Sequence, residues 1–334
     1  MLIPMPTANQ GTHPPCVKNY RGEPSLQIAT PEGIFPSSAV VPQGCGCEGG
    51  TGQGNGYIYA MGEIEPIFPS LSVEKEFYQA LDHDDMNKPI TRELLYSVFK
   101  KIEAISKQGS KPNEGVNLYI ARQMVWIFKI AGLEVYILKP DTDETLYDLV
   151  DSLASEQSAT APRIIIGSKL PITGEMPVGD VYLPVVICNH TFSFDKLSME
   201  NGIKDAAAKL NITPPTTEET DALLAGPMME LVGNQGAGDP ERALNFALLQ
   251  CPGTYAALWQ MVKGGTTIGP KDASGFSLLD AQAVPSAVQG SGITYDVIFS
   301  FRGNSSNIPV KLYCRIDTKG VYPYLVSGMA RFYG

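Results

Sequence analysis

Two nearly unbroken apolar runs, Arg163-Ile164-Ile165-Ile166-Gly167 and Leu183 to Cys188, constrain the fold of this chain more than any other segment. A strand with one wet face alternates apolar and polar side chains, whereas a run that is apolar at successive positions has to be covered on both faces. Central strands therefore lie here, and other elements must be long enough to cover them. The chain has that capacity: 334 residues, 43% hydrophobic and 18% charged, are ample for a large buried core.

The remaining elements follow from periodicity and punctuation. Tyr57 to Gly62 reads as a strand from its aromatic and β-branched content. Helices are expected over Val73–Leu81, Thr91–Ile105 and Glu114–Ala131, the last stopped by Gly132, before a strand at Leu133–Leu138. Asp141 with Glu144 has capping-box spacing and starts a helix through Leu153. A helix spans Asp195–Leu210, and Gly233 to Gly238 is a loop. Asp239-Pro240 reads as N-cap and first helical residue of a helix through Gln250, with Arg242 and Asn245 on one flank. Gly264–Gln289 is turn-rich, and Thr294–Phe301, Val310–Ile316 and Tyr322–Val326 form an antiparallel meander. The expected class is α/β (mixed α+β), with a central mixed sheet, packed helices and a C-terminal meander. Residues 1–55 are Pro- and Gly-rich and read as an extended arm with a Cys-Gly-Cys hinge, and 56–334 as the core.

Composition excludes several function classes. A formal net charge of −10 without a compensating basic run argues against a nucleic-acid backbone as main partner. The longest apolar stretch, Leu118–Leu138, is interrupted by Arg122, Lys129 and Glu134, and a charge at the bilayer centre costs roughly 2.5 to 3.5 kcal/mol, so no membrane partner is expected. Met1–Gln10 lacks the charged-then-apolar order of a signal peptide, which makes a cytoplasmic location the expectation and leaves the glycosylation motifs at Asn189, Asn211 and Asn304 without a secretory context. Six cysteines in so long a chain do not make a disulfide scaffold.

Catalytic signatures mostly fail. The glycines at 50, 52, 54 and 56 precede a strand, whereas a dinucleotide-binding turn follows one and opens a helix. Gly264–Lys271 resembles a phosphate loop, but Pro270 displaces the lysine and removes a backbone donor. Only three histidines are present, and His83, within Asp82-His83-Asp84-Asp85, reads as part of a solvated turn. Cysteines carry more chemistry. His13, Cys16, Cys45 and Cys47 supply the four soft or borderline ligands of a tetrahedral zinc site, although Cys-x-Cys is tighter than the usual spacing and a plain loop explains it as well. Cys188-Asn189-His190, at the end of a buried strand, is a weaker second candidate, while Cys251 and Cys314 read as core. Arg122 and Trp126, spaced i,i+4 on the expected helix, could hold a peptide by charge and stacking or simply pack.

The order of segments carries a resemblance. Val40-Val41-Pro42-Gln43-Gly44-Cys45-Gly46-Cys47, Phe68 to Phe77, Tyr119 to Trp126, Gly132 to Leu138, Val186 to Asp195, Glu241 to Asn245, Asp296 to Ser300 and Tyr322 to Val326 resemble, in order, the C-terminal accessory domain of PatG-type cyanobactin maturation proteases. The resemblance covers nearly all of residues 40–334 and departs from the family at Thr173–Asp180. It implies a noncatalytic accessory role in maturing ribosomally made, modified peptides, with a precursor peptide, a tailoring enzyme or a protease as partner; a homodimer is a further candidate. No protease module accompanies it, and no catalytic residue of the family transfers to this chain. The alternative is a peptide-modifying enzyme using cysteine-bound zinc or a Cys45 or Cys47 thiolate, for which the nearest basic residues, Arg21 and Lys75, are distant in sequence.

Overall fold

The computed structural model describes residues 56–86, 88–101, 117–154, 162–175, 182–225, 231–265, 269–287 and 293–333. The arm, its Cys-Gly-Cys hinge and the proposed zinc ligands His13, Cys16, Cys45 and Cys47 lie outside these residues.

Strands β1 (Tyr57–Ile67), β2 (Val125–Ile130), β3 (Leu133–Pro140), β4 (Arg163–Glu175) and β5 (Tyr182–Ser193) close into a barrel in the order β1-β2-β3-β5-β4. Every pair is antiparallel except β3 with β5, so the central sheet is mixed, as expected. The two apolar runs lie in β4 and β5, which are neighbours in this barrel. Ile165 joins one apolar cluster while Ile164 and Ile166 join another, which is the two-faced burial that the run at 163–167 demands.

Side chains from one face of all five strands, among them Ile58, Phe128, Leu138, Ile165 and Val186, share a single cluster. Helices α1 (Leu71–Ala80), α2 (Arg92–Phe99), α3 (Leu118–Gln123) and α4 (Asp143–Asp151) add Phe77, Phe99, Ile120 and Leu149 to this cluster. These helices therefore cover that face of the sheet.

The opposite face of the barrel carries the second core. Helices α5 (Lys196–Lys209), α6 (Thr217–Ala225), α7 (Asp239–Leu249) and α8 (Pro252–Val262) are followed by a sheet ordered β6 (Phe276–Pro285), β7 (Thr294–Gly303), β8 (Pro309–Asp317), β9 (Tyr324–Arg331). This sheet is the expected antiparallel meander with one strand more. Helix α7 lies against β1 of the barrel and against β6, β7 and β8, so it joins the two sheets. Ala243 and Ala247 give it the narrow profile that packing between two sheets requires.

Several expectations are corrected. No helix runs to Ala131: α3 stops at Gln123, and Val125–Ile130 forms β2. Its alternating β-branched and aromatic residues are buried on both faces between β1 and β3, and tertiary pairing overrides the helical spacing. Ala131 (φ 49°) and Gly132 (φ 78°) form the β2–β3 hairpin turn, so Gly132 closes a hairpin and stops no helix. Thr142, whose side chain accepts from the Thr145 N–H, caps α4 in place of Asp141. Gly238 occupies the cap of α7, with Glu241 accepting from the Ala237 and Gly238 N–H groups, and Asp239 is already helical. Within the turn-rich segment 264–289, β6 pairs along its length with β7.

Candidate functional site

The sequence-derived candidates for chemistry that lie among the described residues are distributed, and each meets a physical obstacle. Arg122 ends α3 in solvent, paired with Asp143 at 2.7 Å, whereas Trp126 lies in β2 with its indole buried and donating to the Ala121 carbonyl. The two side chains share no helical face. His83 and Asp84 are almost wholly solvated, as a polar turn requires. Cys188, Cys251 and Cys314 are all free thiols in the core, and burial pushes each up to about 12. A thiol so placed is a poor nucleophile near neutral pH. Around Cys188 the chain forms a rim of hydrogen bonds, Ser168 to Asn189 at 3.2 Å and Asn189 to Asp141 at 3.2 Å, while the Asp148 carboxyl is raised by burial with His190 opposing the shift. Among the described residues, no group of three or more His, Cys, Asp or Glu side chains is arranged to hold a metal.

The apparent phosphate loop is resolved differently. It follows the C-terminus of α8, the negative end of the helix dipole, and the anion gathered there is the chain's own Asp272. That carboxylate accepts from the Ser305 hydroxyl at 2.5 Å, the Ser306 hydroxyl at 2.6 Å, and the Ser274 and Ser306 N–H groups at 2.9 and 2.8 Å. These bonds hold its pKa well below the usual carboxylate range. Two cavities among the described residues offer no reaction centre either. One of about 410 Å³ between α6, α8 and β6 is lined by Leu223, Leu258, Phe276 and Phe301 without an ionisable side chain, and one of about 360 Å³ beside Trp259 has its two charges, Lys263 and Glu219, paired at 2.8 Å.

The most constrained polar group lies elsewhere. Arg242, on α7, is fully buried. Its Nη1 donates to Asp239 Oδ1 and to the Thr318 carbonyl, both at 2.8 Å, and its Nη2 donates to the carbonyls of Gly320 at 2.5 Å and Val321 at 3.0 Å. The ring of Tyr57, at the start of β1, lies 5.2 Å from the guanidinium carbon. One side chain thus ties the helix, the first barrel strand and the β8–β9 turn together. Beside it Asn245 donates to the Tyr59 carbonyl at 2.8 Å and exchanges amide bonds with Asn234, which in turn accepts from the Gly236 N–H. Arg242 and Asn245 do share a flank of α7, as expected, but that flank faces inward.

What this clamp holds is an apolar surface. Directly after the three carbonyls that Arg242 engages come Tyr322, Tyr324, Leu325 and Val326, between 43% and 55% exposed. Asp317 fixes the same turn, accepting from the Lys319 N–H at 2.8 Å and from the Tyr324 hydroxyl at 3.0 Å. Among the described residues, β9 pairs with β8 alone and forms an edge of the meander. These exposed apolar side chains thus stand on a turn fixed by buried hydrogen bonds. Sequence reasoning placed a strand here but missed the clamp, whose signal was a lone arginine directly before the mostly apolar stretch Ala243 to Leu249.

The fold defines a class: an α/β domain in which a mixed five-stranded barrel and an antiparallel meander share one helix. Residues 57–176 match the family model described as the PatG Domain. A solved structure titled "PatG Domain of Unknown Function" matches with a TM-score of 0.57 at 18% identity, covering 83% of this chain and 99% of that one, which extends the same fold into the meander. No curated protein matches the chain. No helix among the described residues is long and apolar enough to cross a membrane.

Proposed function

We propose that this protein is a noncatalytic accessory protein that binds a precursor peptide or a partner enzyme in the maturation of ribosomally synthesised, modified peptides of the cyanobactin type. The pathway comes from the PatG-domain homology; the binding role comes from the surface. The observation that carries it is the exposed tract Tyr322–Val326, held by a buried arginine that engages three successive-turn carbonyls directly before it. Burying a guanidinium is costly unless its donors are engaged, and the geometry it secures here is that of a turn facing solvent. Preordering a contact surface reduces the entropy lost on binding, which is how a modest patch gains affinity.

The test is direct. A precursor peptide encoded beside the gene for this protein is mixed with the purified protein, and both binding and peptide mass are followed. Saturable binding with unchanged mass is expected. A defined mass change that depends on this protein would replace the binding reading with an enzymatic one, and its loss on Cys45→Ser or Cys47→Ser would assign it to the cysteine-bound zinc or thiolate alternative.

A further inference from the structure

We infer that in the free protein the tract Tyr322–Val326 is covered by the chain's own segment Phe35 to Pro42, laid against β9 and displaced when a peptide binds. The inference rests on the binding role proposed above and adds its regulation.

The first observation is where the chain enters the barrel. Tyr57 opens β1, and its ring lies 5.2 Å from the Arg242 guanidinium carbon. The same guanidinium donates to the carbonyls of Gly320 and Val321, the second of them directly before Tyr322. The residues preceding β1 therefore depart beside the β8–β9 turn. That is also the end of β9 at which its exposed apolar side chains, Tyr324, Leu325 and Val326, are gathered.

Reach and composition agree with this placement. Phe35 to Pro42 lie outside the described residues and are joined to β1 by the 14 residues from Gln43 to Gly56. A connection of that length spans up to about 50 Å, which exceeds what is needed when one arginine touches both Tyr57 and the turn. Neither Phe35-Pro36-Ser37-Ser38-Ala39-Val40-Val41-Pro42 nor Tyr322-Pro323-Tyr324-Leu325-Val326 contains a charged side chain. Apposing the two removes water from apolar surface without stripping it from an ion. Ser37 to Val41, between the prolines, keep every backbone N–H and end in two β-branched valines, as an added strand requires. Among the described residues β9 pairs with β8 alone, so its outer edge is open to such a strand.

The physical need for a cover favours an occupant that is always present. An apolar edge left bare is a template for aggregation, and proteins remove that hazard by laying another segment over it. A second copy of the chain could do so, but it is present only at the concentration of the protein. A segment tethered to the same barrel acts at an effective concentration on the order of millimolar, which exceeds that of a second copy in dilute solution. A peptide ligand then has to displace the segment, and its apparent affinity falls by the fraction of molecules in which the tract is covered.

The test uses the full chain with Tyr324→p-benzoylphenylalanine, irradiated and digested, and the cross-linked peptides identified by mass. A cross-link from position 324 to the segment 35–42 within a species of monomer mass is expected, and it should be lost when Val40→Asp and Val41→Asp are added. The Val40→Asp/Val41→Asp protein, with its fold checked by circular dichroism, should bind a precursor peptide about tenfold or more tighter than wild type. Absence of the cross-link, a cross-link to another part of the chain, or one found only in a species of doubled mass overturns the inference. If a precursor peptide binds both proteins equally, the inference falls and the proposed function stands. If the cross-link forms as described and neither protein binds a precursor peptide, the function falls and the cover stands.

Discussion

Arg242 and Asp239, one turn apart in α7, form an ion pair of 2.8 Å that is closed to solvent. Removing one member of such a pair leaves an uncompensated charge in the core. Arg242→Met is expected to cost about 3–5 kcal/mol in urea denaturation, with part of the loss recovered in the double variant Asp239→Asn/Arg242→Met. A single variant within about 1 kcal/mol of wild type would show that the clamp does not order the turn.

The buried thiols make stability depend on alkaline pH. Cys188, Cys251 and Cys314 are each raised from 9.0 to about 12, so the folded state holds protons that the unfolded state releases. Their contribution is complete below pH 9 and is lost as the pH rises toward 12. The melting temperature should fall over that window, and less so in a Cys188→Ala variant. The same thiols should resist alkylation at neutral pH until the protein unfolds; rapid labelling in the native state would contradict their placement.

Gly236 and Gly132 separate two costs of a side chain. Both have positive φ, 62° and 78°, but a Cβ at Gly236 would collide with the Tyr59 carbonyl, whereas one at Gly132 meets nothing within 4 Å. Gly132→Ala should therefore cost only the about 1–2 kcal/mol of left-handed backbone, and Gly236→Ala clearly more. Equal losses would mean that the Gly233–Gly238 loop is not seated on β1 as the 3.0 Å bond from the Tyr59 N–H to the Gly236 carbonyl indicates.

Zinc at His13, Cys16, Cys45 and Cys47 is a proposal about the arm, decided by metal analysis of the purified full chain. One equivalent of zinc, lost in Cys45→Ser/Cys47→Ser, is the expected result for a four-ligand site. Absence of zinc in the wild type, or zinc unchanged in the variant, would remove it.

Much of the architecture was legible because local pattern and burial agreed. The two apolar runs marked strands buried on both faces, and Asp195, whose carboxylate accepts from the Leu197 and Ser198 N–H groups, marked the start of α5. Val125–Ile130 was misread because the segment continues the apolar spacing of α3, and only its pairing with β1 and β3 decides in favour of a strand. Barrel closure was not legible, since it depends on β1 pairing with β2 about 60 residues on and with β4 more than a hundred residues on. The candidate surface was hidden for a related reason. Arg242 reads as an exposed helical residue until the carbonyls of Thr318, Gly320 and Val321, far along the chain, close around it.

The central claim is that the protein binds a peptide through Tyr322–Val326 and leaves it chemically unchanged. Its most direct test is titration of a labelled precursor peptide against wild type and Leu325→Asp, with the peptide mass read at the end of each titration. The expected result is binding by the wild type, a loss of about tenfold or more in the variant at an unchanged melting temperature, and one peptide mass throughout. Equal affinity of the two proteins, or a new peptide mass produced by the wild type, would contradict it.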